Sequence, residues 1–168
     1  MTLLRRVPGL ALLVGLALLA TALSVIRTGF SFGVGNNVFH VPLVLGWAQL
    51  PAFAGDAFYA SLAKFTSVVW PIVGWVANES NVGLVFLAGH FLSRLLSLLA
   101  IAWLLVTHLR APLSSAALAL LVCVLSPWLV GPSPVGGHGL WLSYFTHSEV
   151  TWGPMLASLL AALAGRWA

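Results

Sequence analysis

The run Val82–Thr107, "VGLVFLAGHFLSRLLSLLAIAWLLVT", sets the class of fold. It exceeds the ~20 predominantly apolar residues that an α-helix needs to cross the hydrocarbon core of a bilayer. Its only charged residue is Arg94, near the middle, and His90 lies one helical turn earlier. The length of the run and its near absence of charge predict a membrane-spanning helix that carries an energetically costly polar group.

The composition of the whole chain agrees with this prediction. Of 168 residues, 61% are hydrophobic and only 6% are charged, and so few charged side chains cannot cover the surface of a soluble domain. We therefore predict an integral membrane protein. The net charge of +4 comes from seven scattered Lys and Arg residues that form no basic stripe, so nucleic acid is not an expected partner.

Three further apolar runs bring the predicted number of membrane spans to about four: 7–26, 82–107, 113–130 and 150–165. An alternative for the first run is a signal peptide, because Arg5-Arg6 precede it and Ala20-Thr21-Ala22 is similar to a cleavage site. Cleavage there would remove residues 1–22. The apolar run continues past that site to Ile26, which favours a membrane span.

The basic residues predict how the spans are oriented. Positive charge accumulates on the cytoplasmic side of membrane proteins, and one set of span ends carries Arg5, Arg6, Arg110 and Arg166. We therefore expect a multi-pass protein of the inner (plasma) membrane with both termini in the cytoplasm. In this orientation all three acidic residues face outward: Asp56, Glu79 and Glu149.

Two outer segments result from this orientation, residues 27–81 and the Gly- and Pro-rich loop 131–149. In the first, apolar residues recur three and four positions apart: Phe58, Leu62, Phe65, Val69 and Ile72. This spacing predicts an amphipathic helix over 56–76 that lies in the membrane interface, and Pro71 is expected to end or kink it. Residues 1–168 are thus predicted to form a single all-α, polytopic membrane domain.

The two outer acids Asp56 and Glu149 each allow a structural and a chemical interpretation. Asp56 follows Gly55 and is suited to cap the interfacial helix, or to act as a general base or metal ligand. Glu149 ends the stretch Thr146-His147-Ser148-Glu149, which matches a capping box. Its alternative role is that of a second catalytic or metal-binding acid. Capping is the favoured interpretation for both.

Arg94 belongs to a polar stripe within the span 82–107, together with His90, Ser93 and Ser97. An Arg at the bilayer centre costs about 3 kcal/mol on insertion scales. The stripe either faces other helices or forms a functional site. In the second case Arg94 and His90 would bind a phosphate, or Arg94 would pair with an outer acid.

The remaining polar residues carry weaker signals. His138 and His147, with Glu149, are candidate metal ligands, although no H-x-x-x-H or C-x-x-C spacing supports a site. Asn37 and His40 form a polar group in an apolar setting and are candidates for a substrate-facing surface or for a turn. A Walker loop and a G-x-S-x-G elbow are both absent from the sequence, which argues against nucleotide hydrolysis and serine hydrolysis.

The arrangement resembles the N-terminal part of the GT-C superfamily of membrane glycosyltransferases. One span is followed by a long outer segment with Asp56, and Glu149 lies in the next outer loop. The stretches "GNNVFHVPLV" (35–44) and "THSEV" (146–150) also resemble uncharacterised bacterial multi-spanning membrane proteins. The resemblance implies a polyprenyl-phosphate-linked sugar donor, catalytic roles for Asp56 and Glu149, and in some members a divalent metal.

The chain departs from that superfamily in two respects. Asp56 has no neighbouring acid, so the D-x-D form is absent, and the four predicted spans are fewer than the eight or more that are usual there. We therefore expect either the N-terminal module of a longer enzyme or a small relative that lacks most of the active-site enclosure, and whether the chain itself is an enzyme stays open. The alternatives are a non-catalytic helical subunit that packs against other membrane helices, and a transporter fragment that uses Arg94 and His90.

Overall fold

The computed structural model describes residues 9–62, 64, 67–129 and 141–165, with the side chains of 127–129 excepted. This part of the chain is all-helical and contains no β-strand. Its helices are α1 Leu10–Thr28, α2 Asn37–Val44, α3 Ala57–Leu62, α4 Val69–Val76, α5 Val82–Trp103, α6 Leu113–Leu129 and α7 His147–Leu163. Two 3₁₀ turns, Trp47–Gln49 and Pro51–Phe53, separate α2 from α3, and α5 continues into a π-helical turn, Leu104–His108.

The four long helices α1, α5, α6 and α7 form a bundle in which α5 is central. Helix α5 contacts the other three, and α1 also packs against α6. By length and composition, α1 and the continuous helix Val82–His108 could each cross a membrane, while α6 contributes a shorter apolar stretch, Leu113–Ser126. These helices begin and end within a few residues of the predicted runs, because apolar runs without internal breakers favour uninterrupted helix.

Two apolar clusters make up the core. The first lies between α1, α5 and α6 and contains Leu13, Ala20, Leu98, Ala102, Leu120, Val124 and Trp141. The second lies where α5 and α7 begin and contains Trp70, Val82, Phe86 and Phe145. Trp141, Phe145 and Thr146 precede α7 and are almost fully buried, while residues 142–144 between them are partly exposed, so the non-helical segment 141–146 is anchored to the bundle at both of its ends.

The layer of short helices between α1 and α5 differs from the prediction of one helix over 56–76. The chain forms two short helices there, α3 and α4, with non-helical backbone at Ser67 and Val68 between them. Pro71 lies in the first turn of α4 instead of ending a helix, because backbone N–H groups in a first turn have no intrahelical acceptor to lose. The break lets α4 turn inward and bury Trp70 against Phe86 and Phe145.

Helix α7 begins at His147, within the predicted outer loop 131–149. Thr146 has the extended backbone typical of an N-cap residue, and its side chain makes no capping hydrogen bond. Pro154 lies inside α7, where it removes one backbone donor from the helix. Residues 131–140 of the loop, including His138, lie outside the described residues.

Candidate functional site

Three ionisable side chains meet inside the bundle, and we call them the buried cluster: His90 and Arg94 of α5 and Glu149 of α7. Their relative exposures are 0%, 0% and 3%. His90 and Arg94 lie one turn apart on the same face of α5, opposite the first turn of α7. The structure therefore brings Glu149 next to His90 and Arg94 of the predicted polar stripe, and it pairs Arg94 with an acid that was predicted to face outward.

Arg94 distributes its hydrogen bonds over three chain segments. Its Nη1 donates to Ser24 Oγ and to Thr28 Oγ1 of α1, each at 2.8 Å. Its Nη2 donates to the carbonyl oxygen of Leu142 and to Glu149 Oε1, the latter at 3.4 Å. The guanidinium carbon also lies 5.3 Å from the ring centroid of Trp141, within cation–π range. Arg94 thus connects α1, α5, α7 and the segment before α7.

Glu149 accepts hydrogen bonds from both sides of its carboxylate. Oε2 lies 2.9 Å from His90 Nδ1, and Oε1 accepts from the backbone N–H of Leu142 at 3.2 Å. Leu142 therefore has its N–H bound by Glu149 and its C=O bound by Arg94. A peptide without helical hydrogen bonds is costly in apolar surroundings unless both groups are satisfied, and the ion pair satisfies both.

This geometry corrects the capping-box interpretation of Glu149. In a capping box the N3 carboxylate accepts from the N-cap N–H, but here the carboxylate bonds to Leu142, four residues before the N-cap Thr146. The reason is competition for the same carboxylate. Arg94 and His90 approach it from α5, and charge-assisted bonds to them are stronger than a neutral capping bond.

His90 has the geometry of an oriented imidazole. The Glu149 carboxylate accepts a hydrogen bond from Nδ1, which assigns the proton to that nitrogen. In the neutral ring, Nε2 then presents a lone pair. Nε2 is buried and has no hydrogen-bond partner within the described part of the chain. The ring of Phe30 packs against the imidazole, with the two centroids 5.3 Å apart. A carboxylate-oriented imidazole of this kind can accept a proton or a hydrogen bond at Nε2.

Asp56 lies apart from the buried cluster. It is exposed, and its Oδ1 accepts from the backbone N–H groups of Phe58 at 2.8 Å and Tyr59 at 3.1 Å, which makes it the N-cap of α3. No hydrogen bond or ion pair within the described ranges joins Asp56 to Glu149. The two acids predicted as a catalytic pair therefore have separate structural roles in this structure.

A second polar group lies next to the second apolar cluster, which contains Trp70, Phe86 and Phe145. It consists of Asn37, His40 and His147. Asn37 Nδ2 donates to the carbonyl oxygen of Phe145 at 2.7 Å. The His40 ring stacks on Trp70 at 3.9 Å, and the His147 ring meets the His40 ring edge-on at 5.6 Å. Burial, with a smaller contribution from His147, lowers the pKa of His40 to about 4. His40 is therefore neutral at pH 7.

A metal site was one prediction for His147, together with His138. His138 falls outside the described residues, so this pair is not defined by the structure. Across the residues that are described, no group of three or more His, Cys, Asp or Glu side chains is placed to hold a metal ion.

Sequence reasoning missed several partners of the cluster. Ser24 and Thr28 face Arg94 from α1 and are spaced four residues apart, so this i, i+4 pair in an apolar run was a readable signal. Trp141 donates from Nε1 to the carbonyl oxygen of Cys123 at 3.0 Å. That carbonyl lacks its helical donor because Pro127, four residues on, has no N–H.

Comparison of the chain with protein-family models, with curated proteins and with solved structures gives no match.

Proposed function

We propose that the chain is a polytopic integral membrane protein that acts as a non-catalytic helical subunit of a larger membrane assembly. Helices α1, α5, α6 and α7 would cross the bilayer, with both termini in the cytoplasm and the layer of α2 to α4 outside. The proposal rests on a burial pattern opposite to that of a soluble protein, with charged side chains inside and apolar side chains exposed. Arg94 and Glu149 are buried, whereas large apolar side chains are exposed on the helices, among them Ile26 at 77%, Leu84 at 69% and Leu118 at 62%.

A soluble protein of this size with so much exposed apolar surface would associate non-specifically, whereas lipid tails solvate these side chains without cost. Within lipid, polar groups belong in the protein interior, where the buried cluster is. Helices that meet through small residues also fit this environment. Ala17, Ala20 and Ser24 line the buried face of α1, and Gly153 of α7 packs against Leu96 of α5.

A structural role for the buried cluster follows from how its atoms are used. Both carboxylate oxygens of Glu149 and both terminal nitrogens of Arg94 are bonded to groups of the same chain. Groups engaged in this way hold helices together rather than act on a substrate. This favours a packing subunit over a transporter in which Arg94 would line the substrate path.

The experiment is cysteine labelling from outside intact cells, in a Cys123→Ser background. Ser61→Cys, in the outer layer, and Ala111→Cys, between α5 and α6, are compared with a membrane-impermeant maleimide. We expect labelling of Cys at position 61 only, and of both positions after the cells are lysed. Labelling of neither position in intact cells, together with recovery of the protein in the soluble fraction, would exclude a membrane location.

A glycosyltransferase-like module is the second candidate, and exposed Asp56 is the observation that favours it. Both capping bonds use Oδ1, so Oδ2 is available to a substrate or to a divalent metal. Aromatic residues surround this acid, with Phe39 against Phe58 at 5.1 Å and Phe53 against Tyr59 at 4.2 Å. An acid next to aromatic rings at the end of a membrane bundle suits a ligand with a polar head and an apolar tail.

This candidate is tested with vesicles that contain the protein and a polyprenyl-phosphate-linked sugar. Sugar release or transfer is measured for the wild type, for Asp56→Asn and for Glu79→Gln, which changes another exposed acid. A transferase would lose activity in Asp56→Asn and keep it in Glu79→Gln. Equal turnover in all three proteins would rule out a catalytic role for Asp56.

A further inference from the structure

We propose that His90 Nε2 and Arg94 Nε form a binding site for the hydroxyl group of an apolar alcohol, and that Phe30 covers this site. The inference rests on the membrane location proposed above, because such a ligand would come from the bilayer. It deepens that proposal by assigning a ligand class to the interior of the bundle. The ligand class follows from which atoms of the buried cluster have no partner.

Two polar atoms of the buried cluster have no hydrogen-bond partner among the described residues, His90 Nε2 and Arg94 Nε. Both side chains are 0% exposed. A buried polar atom without a partner costs about 1–3 kcal/mol, so two such atoms on residues one helical turn apart in α5 need an explanation. With Nδ1 bonded to Glu149, Nε2 of a neutral His90 ring is an acceptor, while Arg94 Nε–H is a donor.

A hydroxyl group complements this pair, since it donates one hydrogen bond and accepts others. A phosphate would match less well, because its oxygens are acceptors and would face the lone pair of Nε2. Charge points the same way. Arg94 is paired with Glu149, which compensates its charge and reduces the attraction of the site for an anion.

The surroundings of His90 are suited to an apolar body behind the hydroxyl. Phe30 packs on the imidazole at 5.3 Å, and the neighbouring Phe32 packs on Phe86 at 5.5 Å. Phe30 is half-buried and follows Gly29, whose φ of 72° and ψ of 176° are open to glycine but not to most other residues. In this proposal, rotation of the Phe30 side chain would uncover His90.

The experiment uses the full chain in detergent micelles and the reagent diethyl pyrocarbonate, which acylates unprotonated histidine. Peptide mass spectrometry measures the reaction rate at His90 relative to His108, which lies at the other end of the same helix. Three proteins are compared: the wild type, Phe30→Ala, and the matched variant Phe32→Ala, which loosens the same segment without contacting His90. Each is measured alone, with decanol, and with decane as the control that lacks a hydroxyl.

We expect Phe30→Ala to raise the relative rate at His90 by about tenfold, as removal of a local cover does, and Phe32→Ala to leave it near the wild-type value. Decanol should slow the reaction severalfold, and decane should not. Equal effects of the two variants on the rate at His90 would contradict the role of Phe30 as its cover. Protection by decane as well, or by neither compound, would contradict the hydroxyl site and leave a water molecule as the occupant. His40, which is buried elsewhere, should stay unreactive as evidence that the fold is intact.

Because the measurement is made in micelles and reads a side chain, its failure would leave the membrane location untouched. The labelling of positions 61 and 111 tests that location separately.

Discussion

At the scale of single residues, the peptide of Leu142 explains why a charged pair is retained inside an apolar bundle. In the membrane location proposed above, an unpaired Arg would cost about 3 kcal/mol, and a non-helical peptide without partners would add a further penalty. Arg94 and Glu149 bind each other and also the two polar groups of Leu142. Each costly group thus satisfies another, so the cluster is best understood as one unit.

His40 predicts a pH dependence of stability that does not involve the buried cluster. Its pKa falls from 6.5 to about 4 on folding, so between these values the unfolded chain binds more protons than the folded one. The stabilisation is therefore fully present above pH 6.5 and is lost as the pH falls towards 4, by at most about 3 kcal/mol.

The measurement is unfolding in mixed micelles at pH 7.5 and pH 5 for the wild type and His40→Gln. The wild type should lose stability between the two pH values, and the variant, which has no titrating group at this position, should lose less. The same loss in both proteins would assign the effect to another group.

Whether the role of a residue could be predicted depended on how far away in the sequence its partners lie. The capping role of Asp56 was predictable because a cap involves neighbours in sequence. The role of Glu149 was not, because its partners His90 and Arg94 lie 59 and 55 residues away. A residue can match a local sequence motif and still form other hydrogen bonds, because charged partners that only the tertiary structure brings near compete for the same side chain.

At the scale of elements, the long helices were predictable from apolar runs, whereas the layer of short helices between α1 and α5 was not. Helices α3 and α4 have almost no polar residues with which to mark an inner and an outer face, and Trp70 is buried while Trp75 of the same helix is 82% exposed. The apolar periodicity over 56–76 was therefore as consistent with one continuous helix as with the two helices observed. The inward turn of α4 depends on aromatic contacts with Phe86 and Phe145, which no local pattern encodes.

Close helix contact predicts opposite effects for glycines that look alike in the sequence. A Cβ on Gly153 would lie 3.2 Å from Leu96 Cβ, and one on Gly89 would lie 2.8 Å from the ring of Phe145. A Cβ on Gly15 would meet nothing within 4 Å. Gly89→Ala and Gly153→Ala should therefore destabilise the fold by about 1–3 kcal/mol through overpacking.

Gly15→Ala is the matched control and should stabilise α1 by about 0.5–1 kcal/mol, because alanine loses less conformational entropy in a helix. Thermal unfolding of the three variants in micelles measures the differences. If all three shift the midpoint in the same direction, glycine content rather than close contact controls stability.

At the scale of the whole molecule, the all-α class follows from composition, but the way the bundle is held together does not. The sequence shows one polar stripe in the run 82–107 and an isolated acid just before the last predicted span. Only the fold shows that α1 supplies Ser24 and Thr28, that α7 supplies Glu149, and that segment 141–146 passes between them. We therefore infer that the buried cluster couples α1, α5 and α7, and this is our central claim.

The most direct test of that claim is a double-mutant cycle on Arg94 and Glu149. The free energy of unfolding is measured in mixed micelles for the wild type, Arg94→Leu, Glu149→Leu and the double variant. Each single change leaves a buried charge unpaired and should cost about 3–5 kcal/mol. The double variant should cost clearly less than the sum, because neither charge remains. Additive costs would contradict the account, since the two side chains would then stabilise the bundle independently of each other.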